Sequence, residues 1–417
     1  MSTIKKQTDL FGVAEEVEQE IKELYKGIDK KAFYNHKKVL EAFRSAKVSD
    51  YHFQGSTGYG YGDRGREVLE KVYSFVFNTE ASLVRGQIVS GTHALALCLY
   101  GILRPGDELL FVQGTPYDTL EEVIGVRGGD NGSLCEFGVG YKQVETTADG
   151  NPDYARIAPS IGKNTKLLLI QRSRGYSLMP ALSIIEIKKL IAYVKKVKPD
   201  ILVMVDNCYG EMVEEKEPAE VGADILAGSL IKNPGGGIAP TGGYITGKKR
   251  LVEMAANRFT APGVGGEVGP VLDWQRLFFQ GLFLAPHTVS EALKGAIFTA
   301  RFFERLGFEV FPKYDEHRSD IIQAVRLGSP ELVTAFCQGL QKGSPVDSHV
   351  LPEPWGMPGY SDQVIMAAGT FVQGASLELT ADGPIRPPYI VYTQGGLSKE
   401  YVKLGVISAA REVLAKS

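Results

Sequence analysis

Apolar positions near the start of the chain recur at helical spacing. Leu10, Val13, Val17, Ile21 and Leu24 fall on one stripe, which predicts amphipathic helices over 10–47. After a Gly-rich turn, a helical stretch over 66–77 opens a regular alternation. Short apolar runs at 82–88, 108–112, 167–170, 201–205 and 225–226 read as strands. Helical segments at 93–103, 118–126 and 184–197 separate several of them. The runs lack the period-two alternation of a half-exposed sheet. Joined by helices, they predict an α/β fold with a largely parallel sheet covered on both faces.

A long helix over about 288–306 leads into an apolar stretch at 308–311, and the pattern then changes to a smaller α/β unit. Strands are expected at 321–327, 376–380 and 389–392, with a closing helix over 398–414. Ser329, Pro330 and Glu331 supply an N-cap, an N1 proline and a first-turn acid for a helix running toward Gln341. The expected organisation is an N-terminal helical arm (1–50), a large domain (51–285) and a small C-terminal domain (286–417).

Composition narrows the function. Lys plus Arg number 46 and Asp plus Glu 49, a net charge of −3 that lacks the basic excess of a nucleic-acid or anionic-membrane binder. Cys98, Cys135, Cys208 and Cys337 are scattered, so neither a disulfide framework nor a metal site is expected. The opening residues show no signal-like apolar region, and no run approaches a membrane span, so a cytoplasmic protein is expected. Glycine is abundant at 48 of 417 residues and clusters at 55–65, 125–132, 233–237 and 261–269. Clusters at the ends of apolar segments suggest backbone approaching a ligand.

In a parallel sheet, ligands bind beyond the carboxyl ends of the strands. Asp206 ends the run ILVMVD, and Ser229 and Lys232 follow the next run, DILAGSLIK. A structural salt bridge is the plain reading of such a pair. Three further features favour chemistry. Ser90, Gly91, Thr92 and His93 lie between a strand and a helix, offering N–H groups and hydroxyls to a phosphate. Pro234-Gly235-Gly236-Gly237 permits close backbone approach beside the amine, and Tyr117 lies just past a strand, where it can cover a flat ring. A phosphate cradle, a strand-end carboxylate, a reactive lysine and an aromatic lid together meet the needs of pyridoxal phosphate.

Here the chain resembles the fold-type-I pyridoxal-phosphate enzymes of the cystathionine lyase and methionine γ-lyase branch. It is most similar to the subfamily labelled cystathionine β-lyase-like or aluminium-resistance proteins. The resemblance is carried by STGYGYGDRGRE (56–67), VSGTHA (89–94), GTPYDTLEEVIG (114–125), IQRSRGYS (170–177), VDNCYGE (205–211), GSLIKNPGGGIAPTGGY (228–244) and GPIRPPY (383–389). It implies a mostly parallel seven-stranded-type sheet with a smaller C-terminal domain. Schiff-base formation falls to Lys232, pairing with the ring nitrogen to Asp206, phosphate binding to Gly91, Thr92 and Ser229 beside Ser90, and ring stacking to Tyr117. Tyr59, Tyr61 and Arg64 are implied to reach the cofactor of a neighbouring subunit in a homodimer or homotetramer, and Arg386 to bind the substrate carboxylate.

Two departures bear on the substrate. Ile231 precedes the lysine where the main lyase branch has threonine. IQRSRGYS replaces an asparagine-bearing turn, leaving Gln171 or Arg174 to meet the cofactor phenolic oxygen. The implied activity is a lyase acting on a cystathionine-, cysteine- or methionine-like amino acid. An aminotransferase or other α-carbon enzyme with the same cofactor, or a cofactor-binding stress-response protein with little turnover, are the alternatives. GYGYGD is not a dinucleotide fingerprint, because its glycine spacing is wrong and no apolar strand precedes it. His93 is expected to pack or cap, and Cys208 to fill space beneath the cofactor.

Overall fold

The computed structural model describes residues 9–417. The arm forms one 36-residue helix, α1 (Leu10–Ser45), where several were expected. Asp9 caps it by accepting from the Gly12 N–H at 3.1 Å. Leu10, Ala14, Val17, Ile21, Ile28, Asn35, Val39 and Ala42 form one buried stripe in which only Asn35 is polar, and the helix runs through it without a break.

Seven strands build the large sheet: β1 (Ala81–Arg85), β2 (Glu108–Phe111), β3 (Gly140–Gln143), β4 (Thr165–Gln171), β5 (Leu202–Asp206), β6 (Ile225–Ser229) and β7 (Gly243–Gly247). Their order is β1-β7-β6-β5-β4-β2-β3. Only β7 runs against the others, pairing antiparallel with both β6 and β1. Strands β3 and β7 were not anticipated. The helices are α2 (Arg64–Phe77), α3 (Gly91–Ile102), α4 (Asp118–Ile124), α5 (Tyr154–Ser160), α6 (Ile184–Val197), α7 (Lys249–Phe259) and α8 (Gln275–Arg305).

Successive side chains of a strand point to opposite faces, and here both faces are covered. Leu168, Ile170, Val203, Val205 and Leu226 join one core with α2, α6 and the start of α8. Leu167, Leu169, Met204, Ile225 and Ala227 join the other with α3 and α7. This is why the runs are continuously apolar.

The small domain is an antiparallel sheet of β8 (Glu309–Phe311), β9 (Ile322–Arg326), β10 (Val364–Ala367), β11 (Thr380–Pro384) and β12 (Ile390–Gln394), in the order β10-β11-β12-β9-β8. It is completed by α9 (Pro330–Lys342), capped by Ser329 as expected, and α10 (Lys399–Lys416). Helix α8 begins thirteen residues before the expected start at 288 and runs through the expected domain division at 285. Its first half, with Phe278, Phe279, Leu282 and Ala285, is buried in the large core; its second half, from Val289 to Phe303, is buried in the small one. The strand expected at 376–380 is instead a turn leading into β11. Leu379 has φ of 148°, and the Glu378 carboxylate accepts from the Phe371 and Val372 N–H groups at 2.8 and 2.9 Å, so this stretch cannot extend. Among the described residues no helix is long and apolar enough to cross a membrane.

Behind the strand ends, Tyr244 of β7 donates to Glu211 Oε1 at 2.8 Å, while Oε2 has no partner. Burial pushes the Glu211 carboxyl up to about 8, against the pull of the Tyr244 hydrogen bond. In the unfolded chain the group titrates near 4.5, so the folded protein holds the proton more tightly. The resulting stability is complete below that value and is lost as pH rises through about 8. Denaturant titrations at pH 5.5 and 8.5 should show the wild type losing on the order of 3 kcal/mol more than Glu211→Gln, at about 1.4 kcal/mol per pH unit. Equal losses would show that Glu211 is ionised in the folded protein.

Candidate active site

Strands β5 and β6 pair in parallel, with Met204 opposite Ile225 and Asp206 opposite Ala227. Asp206 is the last residue of β5, and Lys232 follows the end of β6 by three residues, so acid and amine emerge at one sheet edge. Asp206 is 7% exposed and its Oδ1 accepts from the Cys208 N–H at 3.1 Å. Burial pushes its carboxyl up from the ordinary range, opposed by the Lys232 ammonium and the Cys208 N–H. The Lys232 Nζ lies 4.0 Å from the centroid of the Tyr209 ring. Burial works against the ammonium, but the acidic groups around it, Cys208, Tyr209, Tyr117 and Asp206, hold Lys232 well above the usual lysine range.

The turn carrying Cys208 and Tyr209 is locked from below by Arg172, which is fully buried. Its Nη1 donates to Asn207 Oδ1 at 2.8 Å and to Glu217 at 3.3 Å, and its Nη2 to Glu214 at 3.3 Å.

Beside the acid and amine, α3 presents its N-terminus. Ser90 Oγ accepts from the His93 N–H at 3.0 Å. His93 Nδ1 accepts from the Val89 N–H at 3.2 Å, the capping role expected of it. A Cβ at Gly91 would lie 3.1 Å from Cys208 Sγ and 3.6 Å from Ser229 Cβ, so glycine keeps open the gap between helix and strand ends. Thr92 shares a hydroxyl hydrogen bond with Thr119 at 2.9 Å, and Ser229 Oγ accepts from the Ile231 N–H at 3.3 Å.

These groups face a cavity of about 230 Å³. Ser90, Gly91, Thr92, Tyr117, Asp206, Ser229 and Lys232, all anticipated, line its large-domain side together with Cys208 and Gln171. Arg174 is turned away, buried with its Nε 3.8 Å from Asp320. Arg386 lies in an adjoining recess, where its Nη1 donates to Asp362 at 2.8 Å. Tyr59, Tyr61 and Arg64 are exposed and do not line the cavity of their own chain.

The small-domain wall went unrecognised in the sequence: Tyr360, Ser376, Asp382, Tyr392 and Gln394. Asp382 is buried and accepts from Gln394 Nε2 at 2.8 Å. Burial pushes its carboxyl up to about 6, while Gln394, Tyr176 and Lys232 pull it back. No local signal marks these residues, since they reach the site only through the packing of the second domain.

The donor set fits pyridoxal phosphate: a helix N-terminus with hydroxyls and a side-chain-free gap for the phosphate, a buried acid for the ring nitrogen, and an amine for the aldehyde. Comparison with known proteins agrees. The methionine gamma-lyase family model matches residues 11–414. The uncharacterised Bacillus subtilis protein YnbB is 55% identical over 404 residues, covering 97% of this chain and 96% of YnbB. A crystal structure described as a carbon-sulfur lyase involved in aluminium resistance, from Clostridium novyi, is 50% identical with a TM-score of 0.93, covering 96% of this chain and 95% of that one. The pyridoxal-5′-phosphate-dependent Escherichia coli protein YhfS shares the fold at 17% identity and a TM-score of 0.62, over 94% of this chain and 96% of its own. The chain therefore belongs to the methionine gamma-lyase family, and its cofactor is pyridoxal 5′-phosphate.

Proposed function

We propose that this protein is a carbon–sulfur lyase that removes the Cα proton of a sulfur-containing amino acid and expels a thiol, leaving a keto acid and ammonia. The observation that carries the reading is the juxtaposition of Asp206 and Lys232 at adjacent parallel strand ends, in one cavity with the N-terminus of α3. The name of the Clostridium novyi relative points the same way. When bound, the cofactor supplies an electron sink conjugated to the substrate Cα.

Each residue has a task that follows from its chemistry. Lys232 would hold the cofactor covalently, and its free amine would carry the substrate Cα proton. Asp206, as a carboxylate, keeps the ring nitrogen protonated. Gly91, Thr92 and Ser229, with Ser90 at the helix cap, hold the phosphate, and Tyr117 stacks on the ring. Arg386 takes the substrate carboxylate from the adjoining recess. Tyr59, Tyr61 and Arg64, which face solvent in one chain, complete the site of a neighbouring subunit.

Purified holoprotein should release thiol and keto acid from at least one of cystathionine, cysteine and methionine. Amino-group transfer to an added keto acid without thiol release would assign an aminotransferase instead. In Asp206→Asn, kcat should fall by about 10²-fold or more, the size expected for removing one preorganised electrostatic contact. Cofactor affinity should fall less; near-normal kcat would make Asp206 a structural acid only. Mixing inactive Arg64→Ala chains with inactive Lys232→Ala chains should restore activity, because some hybrid sites would be intact. No recovery after verified subunit exchange would place Arg64 outside the neighbour's site.

A further inference from the structure

Away from the cofactor cavity, two buried arginines carry more hydrogen-bond donors than their own chain uses. Arg174 belongs to the large-domain segment that leads from β4 to α6, and Arg318 to the small-domain turn between β8 and β9. They are 5% and 7% exposed, and Ser319 beside Arg318 is 2% exposed. Nε and Nη1 of both guanidiniums, and the Ser319 hydroxyl, have no hydrogen-bond partner among the described residues. The bonds that are made fix the surroundings. Arg318 Nη2 donates to Gln323 Oε1 at 2.5 Å, and Gln323 is held in turn by donating to the Pro312 carbonyl at 3.1 Å. Asp320 accepts from the backbone N–H groups of Arg174 and Ile322, each at 3.1 Å. Its carboxylate lies 3.8 Å from Arg174 Nε, an ion pair without a hydrogen bond.

Positive charge is in excess here. Two guanidiniums meet one buried carboxylate, that of Asp320. Asp149 and Glu316 stand at the rim, but both are exposed, where solvent screens them, and Glu316 already accepts from the Lys313 N–H at 3.0 Å. Burial, and after it the neighbouring Arg174, push the Arg318 guanidinium down to about 9, against the pull of Asp320, Glu316 and Glu304. A buried cation with idle donors is costly unless a counter-charge meets it.

The two arginines and Ser319 line a recess of about 230 Å³ between the domains, together with Pro180, Phe311 and Asp320. We infer that this recess is a binding site for a small oxyanion, a phosphate or a carboxylate, held by Arg174 from one domain and by Arg318 and Ser319 from the other. Planar guanidiniums suit the oxygens of either group, and the hydroxyl adds a further donor. The site is separate from the cofactor cavity, which neither Arg318 nor Ser319 lines. It is nevertheless coupled to that cavity through the chain, because Gln171 and Tyr176 flank Arg174 in sequence and both line the cavity wall. An oxyanion bridging Arg174 to Arg318 therefore ties the small domain to the segment that places those two side chains.

In holoprotein, whose cofactor occupies the phosphate cradle at α3, inorganic phosphate titrated against chloride at matched ionic strength should raise Tm by about 2 °C or more. Amide hydrogen exchange across 172–177 should slow with it. Acetate titrated in the same way distinguishes the two ligand classes: the larger rise, with phosphate or with acetate, names the one the recess takes. The rise should disappear in Arg318→Gln and in Arg174→Gln. The second variant keeps the backbone bond to Asp320, and it decides the matter if the first does not fold. In Arg386→Gln the rise should persist. No rise beyond chloride with either anion would overturn the inference, as would a rise that survives Arg174→Gln. Loss of the rise in Arg386→Gln would place the anion in the recess beside that arginine and overturn it equally.

Discussion

The structure depends on holding the buried carboxylate of Asp206 and the half-buried ammonium of Lys232 at one edge of a sheet whose two faces are packed against apolar cores. Taking either charge from water is costly, and each offsets part of that cost for the other through their electrostatic attraction across the strand ends. The parallel pairing of β5 with β6 provides the arrangement, because it sends both chain ends out on the same side. Arg172 then anchors the turn after β5. Its guanidinium gathers Asn207, Glu214 and Glu217, and a Cβ on Gly210 would lie 2.4 Å from its Cδ. Tyr209 and Met212 take φ of 69° and 61° within this turn, conformations unfavourable to such side chains and held by the surrounding bonds.

The second domain completes the balance. Asp382 lines the same cavity as Lys232 and interacts with it electrostatically, and Tyr360 shares a hydrogen bond with Tyr117. Both interactions require the domains to keep a constant relation. That is supplied by two long helices: α1 and α8 each contribute one end to the core of the large domain and the other to the core of the small one. A boundary drawn through residue 285 therefore cuts a continuous helix at a residue that is itself fully buried.

The cavity that results is lined by polar groups from both domains and by five tyrosines. The large-domain groups come from strand ends and a helix N-terminus, whose positions vary little once the sheet is formed. The small domain presents Ser376, Asp382, Tyr392 and Gln394 on the opposite wall. Arg386, held by Asp362 in the next recess, stands one step back from the cavity.

Much of this was legible in the residues alone. The runs ending at Asp206 and preceding Lys232, the Ser90-Gly91-Thr92 cap and the position of Tyr117 are local features, each contained in a short segment whose hydrophobicity, capping and strand-end chemistry speak for themselves. The strand at 243–247 was missed because its glycines and threonine weaken the apolar signal. The stretch at 376–380 looked extended, but Glu378 bonds back to 371 and 372 and turns the chain. Tyr360, Asp382 and Gln394 carried no motif at all. Their meaning depends on partners up to 243 residues away in the chain, and only packing of the two domains along α1 and α8 brings them to the cavity. Sequence by itself determined the fold class and the strand-end and helix-cap residues that line the large-domain side of the cavity, because these follow from local patterns; tertiary structure decided the small-domain wall, because a contact between distant segments leaves no trace in either one.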